Sequence, residues 1–326
     1  MSLRQVDFSQ VLTDDQVYEN VMSNYEQLGR NWTAHQWNWI NNMYWAFKDH
    51  YKYMIVISLK EKTLQFYDTM NIHYTYDEYY SKSYLRIEKF SITELCDKLN
   101  LPKETVRRKV LELEKLGVLK RQKKQIIIDR NSVNVVKPEQ QIKFTTKYVF
   151  LISQILNKKK IYSKKLDLKF IENILKKNFS LVWRWLYRMQ IPMAIGYGEI
   201  FNDLTTFHIF GTVVMNQTFN LRKSFNGSNI NAISPDYITF TENLIGDDGS
   251  STGLSAMSIS DMTSIPRATV IRKCKYLLKN DFLKLNDKKQ YIMSGSNITK
   301  ILPYHKQVLR NKSKFLRKVL NLLTIS

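Results

Sequence analysis

The chain has 326 residues, 44% of them hydrophobic and 24% charged, which is enough apolar content for folded cores in two or more domains. Its formal net charge of +21 comes from 50 Lys and Arg against 29 Asp and Glu, a balance that points to polyanionic partners, nucleic acid first and an anionic membrane surface second. Two cysteines, Cys96 and Cys274, without C-x-x-C spacing exclude a disulfide framework and the common zinc modules, and they suit a reducing, cytoplasmic setting.

In chain order, "MSLRQVDFSQVLTDDQ" is polar and acidic with no apolar run, so no signal peptide is expected. Residues 34–60 predict one long aromatic helix, because Trp37, Ile40, Tyr44, Phe47, Tyr51 and Met54 recur at three- and four-residue spacing. After a tyrosine-rich stretch, "SITELCDKL" predicts a short helix. Ser91 caps it, Glu94 completes a capping box, and Ile92, Leu95 and Leu99 form its buried face. "NLP" is a turn, with Pro102 at a first helical position; a second helix follows over residues 102–116, and Gly117 ends it. "VLKRQKKQIII" then alternates into a β-hairpin with a basic tip. Beyond it come a mainly helical linker with "NKKKIYSKK" as an exposed basic joint, helices over residues 170–189 and 200–218, and a loop punctuated by Gly, Ser, Asp and Asn over residues 226–253. Apolar runs are short, and the longest is interrupted by Arg184 and Arg188, so no membrane span is expected.

The helix–turn–helix–hairpin text occurs twice. Laying Pro102 on Pro266 gives an offset of 164 (266 − 102) that holds without a gap from Ser91/Ser255 to Lys120/Lys284. Over residues 101–120 nine pairs are identical, among them Thr105/Thr269, Val106/Val270, Arg108/Arg272, Lys109/Lys273 and Leu113/Leu277, where chance predicts about one. One extra residue enters the second copy after the basic tip. The duplication divides the chain into residues 1–157 and 158–326, with the repeated motif at about 89–130 and 254–294.

On the second helix, Val106, Val110 and Leu113 share one face while Arg108 and Lys115 point away from it. Arg107 and Thr105 flank that outward line, and Lys103 lies at the N-terminal end. Lys120, Arg121, Lys123 and Lys124 form the hairpin tip. In the second copy Val270, Cys274 and Leu277 make the core face; Arg267, Thr269, Arg272, Lys273 and Lys279 are the corresponding polar residues, and Lys288 and Lys289 the tip. An outward arginine suits guanine, whose two major-groove acceptors match its fork, and lysines at a tip suit phosphate. "NLPKETVRRKVLELEKLGVL" and "SIPRATVIRKCKYLLKNDFL" resemble the winged helix-turn-helix domains of bacterial transcription regulators, in the style of the MarR and IclR families. The resemblance covers about forty residues twice. It implies a mainly α fold with small β-hairpin wings (α+β), two tandem winged helix-turn-helix domains joined and flanked by helices, and binding to double-stranded DNA.

Two recognition helices, about residues 102–116 and 266–280, are then expected in the major groove. Glu104 and Arg107 against Ala268 and Ile271 imply different half-sites. The expected function is a sequence-specific transcription regulator, cytoplasmic and nucleoid-associated. The rivals are a plasmid- or phage-type replication initiator and an interaction scaffold that uses its wings on protein. No enzyme is expected: five histidines are scattered, "GYGEIF" lacks the third glycine of a dinucleotide loop, and no metal or cofactor spacing occurs. Cys96 and Cys274 read as packed thiols. Trp32, Trp37, Trp39, Trp45, Trp183 and Trp185 read as core or as contacts of a homodimer through the aromatic helices; an effector is left open.

Overall fold

A computed structural model describes residues 11–88, 91–123, 125–129, 137–225, 236–245 and 252–326. Among these the chain is mainly helical, with two small antiparallel sheets. The elements in chain order are α1 (Asp14–Ser23), α2 (Tyr25–Phe47), α3 (His50–Thr69), α4 (Tyr76–Ser81), β1 (Tyr84–Ile87), α5 (Ile92–Leu99), α6 (Lys103–Lys115), β2 (Leu119–Gln122), β3 (Gln125–Asp129), α7 (Glu139–Lys158), α8 (Leu168–Lys177), α9 (Phe179–Ile200), α10 (Leu204–Phe225), α11 (Tyr237–Ile245), α12 (Ala256–Thr263), α13 (Arg267–Lys279), β4 (Leu283–Leu285), β5 (Tyr291–Met293) and α14 (Ile298–Ile325).

Two compact units are formed, each from separated parts of the chain. One comprises Met1–Asn38, Lys143–Ile174 and Thr206–Ser326; the other comprises Trp39–Ile142 and Leu175–Thr205. Each therefore draws on both sides of residue 157, and the halves marked by the duplication are not the compact units. The first copy of the repeat lies in the Trp39–Ile142 segment and the second in the Thr206–Ser326 segment.

In the unit holding the first copy, α3 is the central rod. Every residue from Tyr53 to Glu61 is buried, so this helix is covered all round and not along one stripe. It packs chiefly on α9 and also touches α5, α6 and β1. The sheet has the order β1-β3-β2, with Leu85 opposite Ile128 and Leu119 opposite the same Ile128 on the inner face. Polar ties fix the rod's neighbours: Lys98 to Glu61 at 2.5 Å, Lys62 to Glu94, Arg184 to Asp68, and the Tyr74 N–H to Ser180 Oγ at 2.9 Å.

In the other unit, α1 packs along α14. The Asn321 side chain accepts from the Leu12 N–H at 2.9 Å and donates to its carbonyl at 3.1 Å, while Arg317 reaches Asp14 at 2.6 Å. The β4–β5 hairpin is held from α10, where Gln217 Oε1 accepts from the Met293 N–H at 2.5 Å.

Five expectations need correction. The helix expected over residues 34–60 is two. Lys48 turns the backbone to φ 51, and Asp49 caps a new start by accepting from the Tyr51 and Lys52 N–H groups at 2.9 and 3.2 Å. The helix expected over residues 170–189 breaks at Asn178, and that expected over residues 200–218 begins only at Leu204. Within residues 226–253, Tyr237–Ile245 is helical, started by Asp236 accepting from the Thr239 N–H; residues 226–235 and 246–251 lie outside the described residues. The "NKKKIYSKK" joint exposes Lys158, Lys159 and Lys160 as expected, but it buries Tyr162, whose hydroxyl donates to the Leu320 carbonyl.

Candidate nucleic-acid interface

The two copies form the same elements at the same offset. Both α5 and α12 are capped by a serine, Ser91 on the Glu94 N–H and Ser255 on the Ser258 N–H, and both end on a left-handed residue, Asn100 at φ 49 and Ser264 at φ 58. Glu94 does not complete a capping box: its carboxylate pairs with Lys62 on α3 instead. Pro102 and Pro266 stand one place before α6 and α13, at the N-cap, where neither offers a side-chain acceptor. The first-turn N–H groups of these two helices thus have no side-chain cap, in contrast to the helices preceding them.

Gly117 at φ 72 closes α6 in a Schellman motif: the Val118 N–H reaches the Leu113 carbonyl at 3.0 Å and the Gly117 N–H the Glu114 carbonyl at 2.9 Å. The second copy makes the same pair of bonds, Phe282 to Leu277 at 2.9 Å and Asp281 to Leu278 at 3.1 Å, with Asp281 itself at φ 52. The extra residue of the second copy lies in the hairpin tip. Gln122 faces Gln125 across a two-residue tip, whereas the Asn286 N–H donates to the Gln290 carbonyl around a three-residue one. Asn286 Oδ1 accepts from the Lys288 and Gln290 N–H groups at 3.1 and 2.9 Å and braces that longer turn.

The expected polar residues lie on the outer surface. On the first copy Lys103, Arg107, Arg108, Lys115, Lys120, Arg121 and Lys123 are exposed and Thr105 is half-buried; Lys124 lies outside the described residues. On the second, Arg267, Arg272, Lys279, Lys288 and Lys289 are exposed, and Thr269 and Lys273 half-buried. Lys120 and Arg121 belong to strand β2 and not to the tip. The inner faces are Val106, Val110 and Leu113 on α6, and Val270, Cys274 and Leu277 on α13. Burial pushes the Cys274 thiol up to about 12, so it is a packed thiol; Cys96 is only half-buried.

Sequence reasoning passed over three features. Lys109, identical to Lys273, is buried against Asp49 and holds α6 to the start of α3. Three glutamates of α6 stand beside arginines: Glu104 at 3.9 Å from Arg107, Glu112 at 3.9 Å from Arg108, and Glu114 in two hydrogen bonds of 2.7 Å with Arg121, which hold that guanidinium above its usual pKa. The third feature is Lys275, exposed on α13 where the first copy has Leu111; the difference between copies was its only signal.

Of the tryptophans, Trp32, Trp39 and Trp183 are buried within the units, and Trp45 is the most open at 55%. Among the described residues no cluster of three or more His, Cys, Asp or Glu could hold a metal ion, and no helix is long and apolar enough to cross a membrane. Comparison with family models, curated proteins and solved structures returned no match to the chain.

Proposed function

We propose that this chain is a sequence-specific double-stranded DNA-binding protein, a non-enzymatic transcription regulator with two winged helix-turn-helix copies. In this reading α6 and α13 enter the major groove and the β2–β3 and β4–β5 hairpins lie on phosphates, in keeping with a nucleoid-associated location. One observation carries it. Two helices of equal length, offset by 164 residues (267 − 103), each bury three small or branched side chains and turn an exposed arginine, Arg108 or Arg272, to the opposite side. The first turns of the same two helices support it, because N–H groups without a side-chain cap beside Lys103 and Arg267 suit a phosphate oxygen.

The reading is tested by DNA binding measured against salt. Affinity is expected to fall log-linearly with salt; no such dependence would remove DNA as the partner and leave the protein scaffold. Arg108→Ala and Arg272→Ala each cost about 1–3 kcal/mol at the cognate site and relax base preference locally, whereas Lys123→Ala and Lys288→Ala weaken all sequences alike. Glu104 favours a cytosine amino group, while Ala268 favours a thymine methyl. A selection from random duplexes is therefore expected to return unequal half-sites, and a perfect palindrome would contradict this. Genome-wide mapping of bound sites separates a regulator, bound at promoters, from a replication initiator, bound at its own origin.

A further inference from the structure

The two copies share a backbone plan but not a charge. Helix α6 carries five basic and three acidic side chains; α13 carries five basic and none acidic. Glu104 sits on the outward face of α6, while Glu112 and Glu114 are half-buried on its flanks, Glu112 also paired with Lys52 of α3 at 2.7 Å. Glu104 lies in the first turn and Glu112 and Glu114 farther along, and each is an ion-pair partner of an arginine that the DNA reading assigns to the interface. The positions 164 residues on are Ala268, Tyr276 and Leu278. Lys109 is also withdrawn from the surface by Asp49. On α13, Arg267, Arg272 and Lys279 are exposed and, among the described residues, have no carboxylate partner. The hairpins lean the other way: β2 and its tip carry Lys120, Arg121 and Lys123, whereas the second tip sets Asp287 beside Lys288 and Lys289.

A phosphate approaching the start of α6 meets the exposed Glu104 carboxylate beside Arg107. One approaching α13 meets no carboxylate on that helix itself; the exposed Asp261 and Asp281 lie on the elements before and after it. Exposed pairs at 3.9 Å hold their partners weakly, so the glutamates do not lock Arg107 and Arg108 away; they lower the local potential and repel phosphate. We infer that the copies divide the interaction: α13 supplies the larger part of the helix-borne, sequence-independent attraction to the DNA backbone, while α6 is a low-attraction reader whose copy relies on its basic hairpin for phosphate. This rests on the DNA-binding reading above. It adds that the second copy, besides its base contacts, carries the larger share of the sequence-independent anchoring.

The experiment measures binding of the full-length protein to a random-sequence duplex across a salt series, for wild type, Arg272→Gln/Lys279→Gln, Arg108→Gln/Lys115→Gln and Glu104→Gln. All substituted side chains are exposed, and circular dichroism confirms the fold of each variant. The α13 pair is expected to lower affinity about tenfold or more at moderate salt and to flatten the salt slope by nearly two, close to the full contribution of two phosphate contacts. The α6 pair is expected to lower affinity only about two- to threefold, with a change in slope of less than one. Glu104→Gln should raise affinity for random DNA by about two- to fivefold and narrow the preference among cognate variants. Equal losses from the two pairs, or a larger loss from the α6 pair, would overturn the division while leaving DNA binding in place. Absence of salt-dependent binding in the wild type would overturn the DNA-binding reading itself.

Discussion

Lys312 is the residue whose surroundings are hardest to reconcile with its chemistry. It is fully buried on α14, its amine lies 4.2 Å from the Trp32 ring centre and 4.0 Å from that of Tyr148, and among the described residues it has no hydrogen-bond partner. Burial pushes its pKa well below the ordinary lysine value. The unfolded chain takes up a proton below about pH 10.4 that the folded amine refuses, so this residue makes stability rise with pH between its lowered folded pKa and about 10.4. Lys312→Met is expected to raise the denaturant midpoint at neutral pH and to flatten its pH dependence; equal slopes in both proteins would show that the amine is charged in the fold. Asp281 is a second single-residue case. It holds φ 52 where its counterpart is Gly117, a conformation that strains most side chains. Asp281→Gly should stabilise the protein by about 0.5–1 kcal/mol, and Gly117→Ala should destabilise it by about 1–2 kcal/mol, both read from chemical denaturation. The left-handed position itself was legible from Gly117 in one copy only, because aspartate does not announce it.

Among elements, the start of α3 is the joint on which α6 of the first copy rests. Asp49 accepts from two N–H groups of α3 and pairs with the buried Lys109 of α6, while Lys52, three places on, pairs with Glu112 at 2.7 Å. Asp49→Ala removes a helix cap and leaves a buried ammonium without its carboxylate, so a loss of about 2–4 kcal/mol is expected in equilibrium unfolding. A loss below about 1 kcal/mol would mean that Lys109 finds water. This joint was hidden in the sequence because the aromatic spacing runs across it: Tyr44, Phe47, Tyr51 and Met54 keep helical phase on both sides of the break. The repeated elements were legible for the opposite reason. Ser91 and Ser255, Pro102 and Pro266, and the stacked Val, Cys and Leu positions are local signals, and local hydrogen bonds and side-chain periodicity realise them without help from the rest of the chain.

At the scale of the whole molecule, the chain order and the compact units disagree. The unit that contains the first copy takes Leu175–Thr205 from beyond the middle of the sequence, and the unit that contains the second takes Met1–Asn38 and Lys143–Ile174 from before or around it. Fragments 1–157 and 158–326 are therefore expected to be poorly folded when made separately, because the first lacks α9 against α3 and the second lacks α1 against α14. Cooperative unfolding of either fragment alone, with native-like helix content, would refute this. Mixing the fragments should restore structure if the interleaving is correct.

The sequence by itself determined the mainly helical class, the repeated helix–turn–helix–hairpin unit, its serine caps and the Gly117 end, and the outward placement of Arg108 and Arg272. Each of these depends on residues within one or two turns of one another. Tertiary structure alone decided that Lys109 and Lys312 are buried, that β1 joins the first hairpin as a third strand, and that each unit is completed from the other side of residue 157. Those outcomes depend on which faces meet between elements well separated along the chain. Periodicity shows that a helix has a face to bury; it carries no record of which partner will bury it.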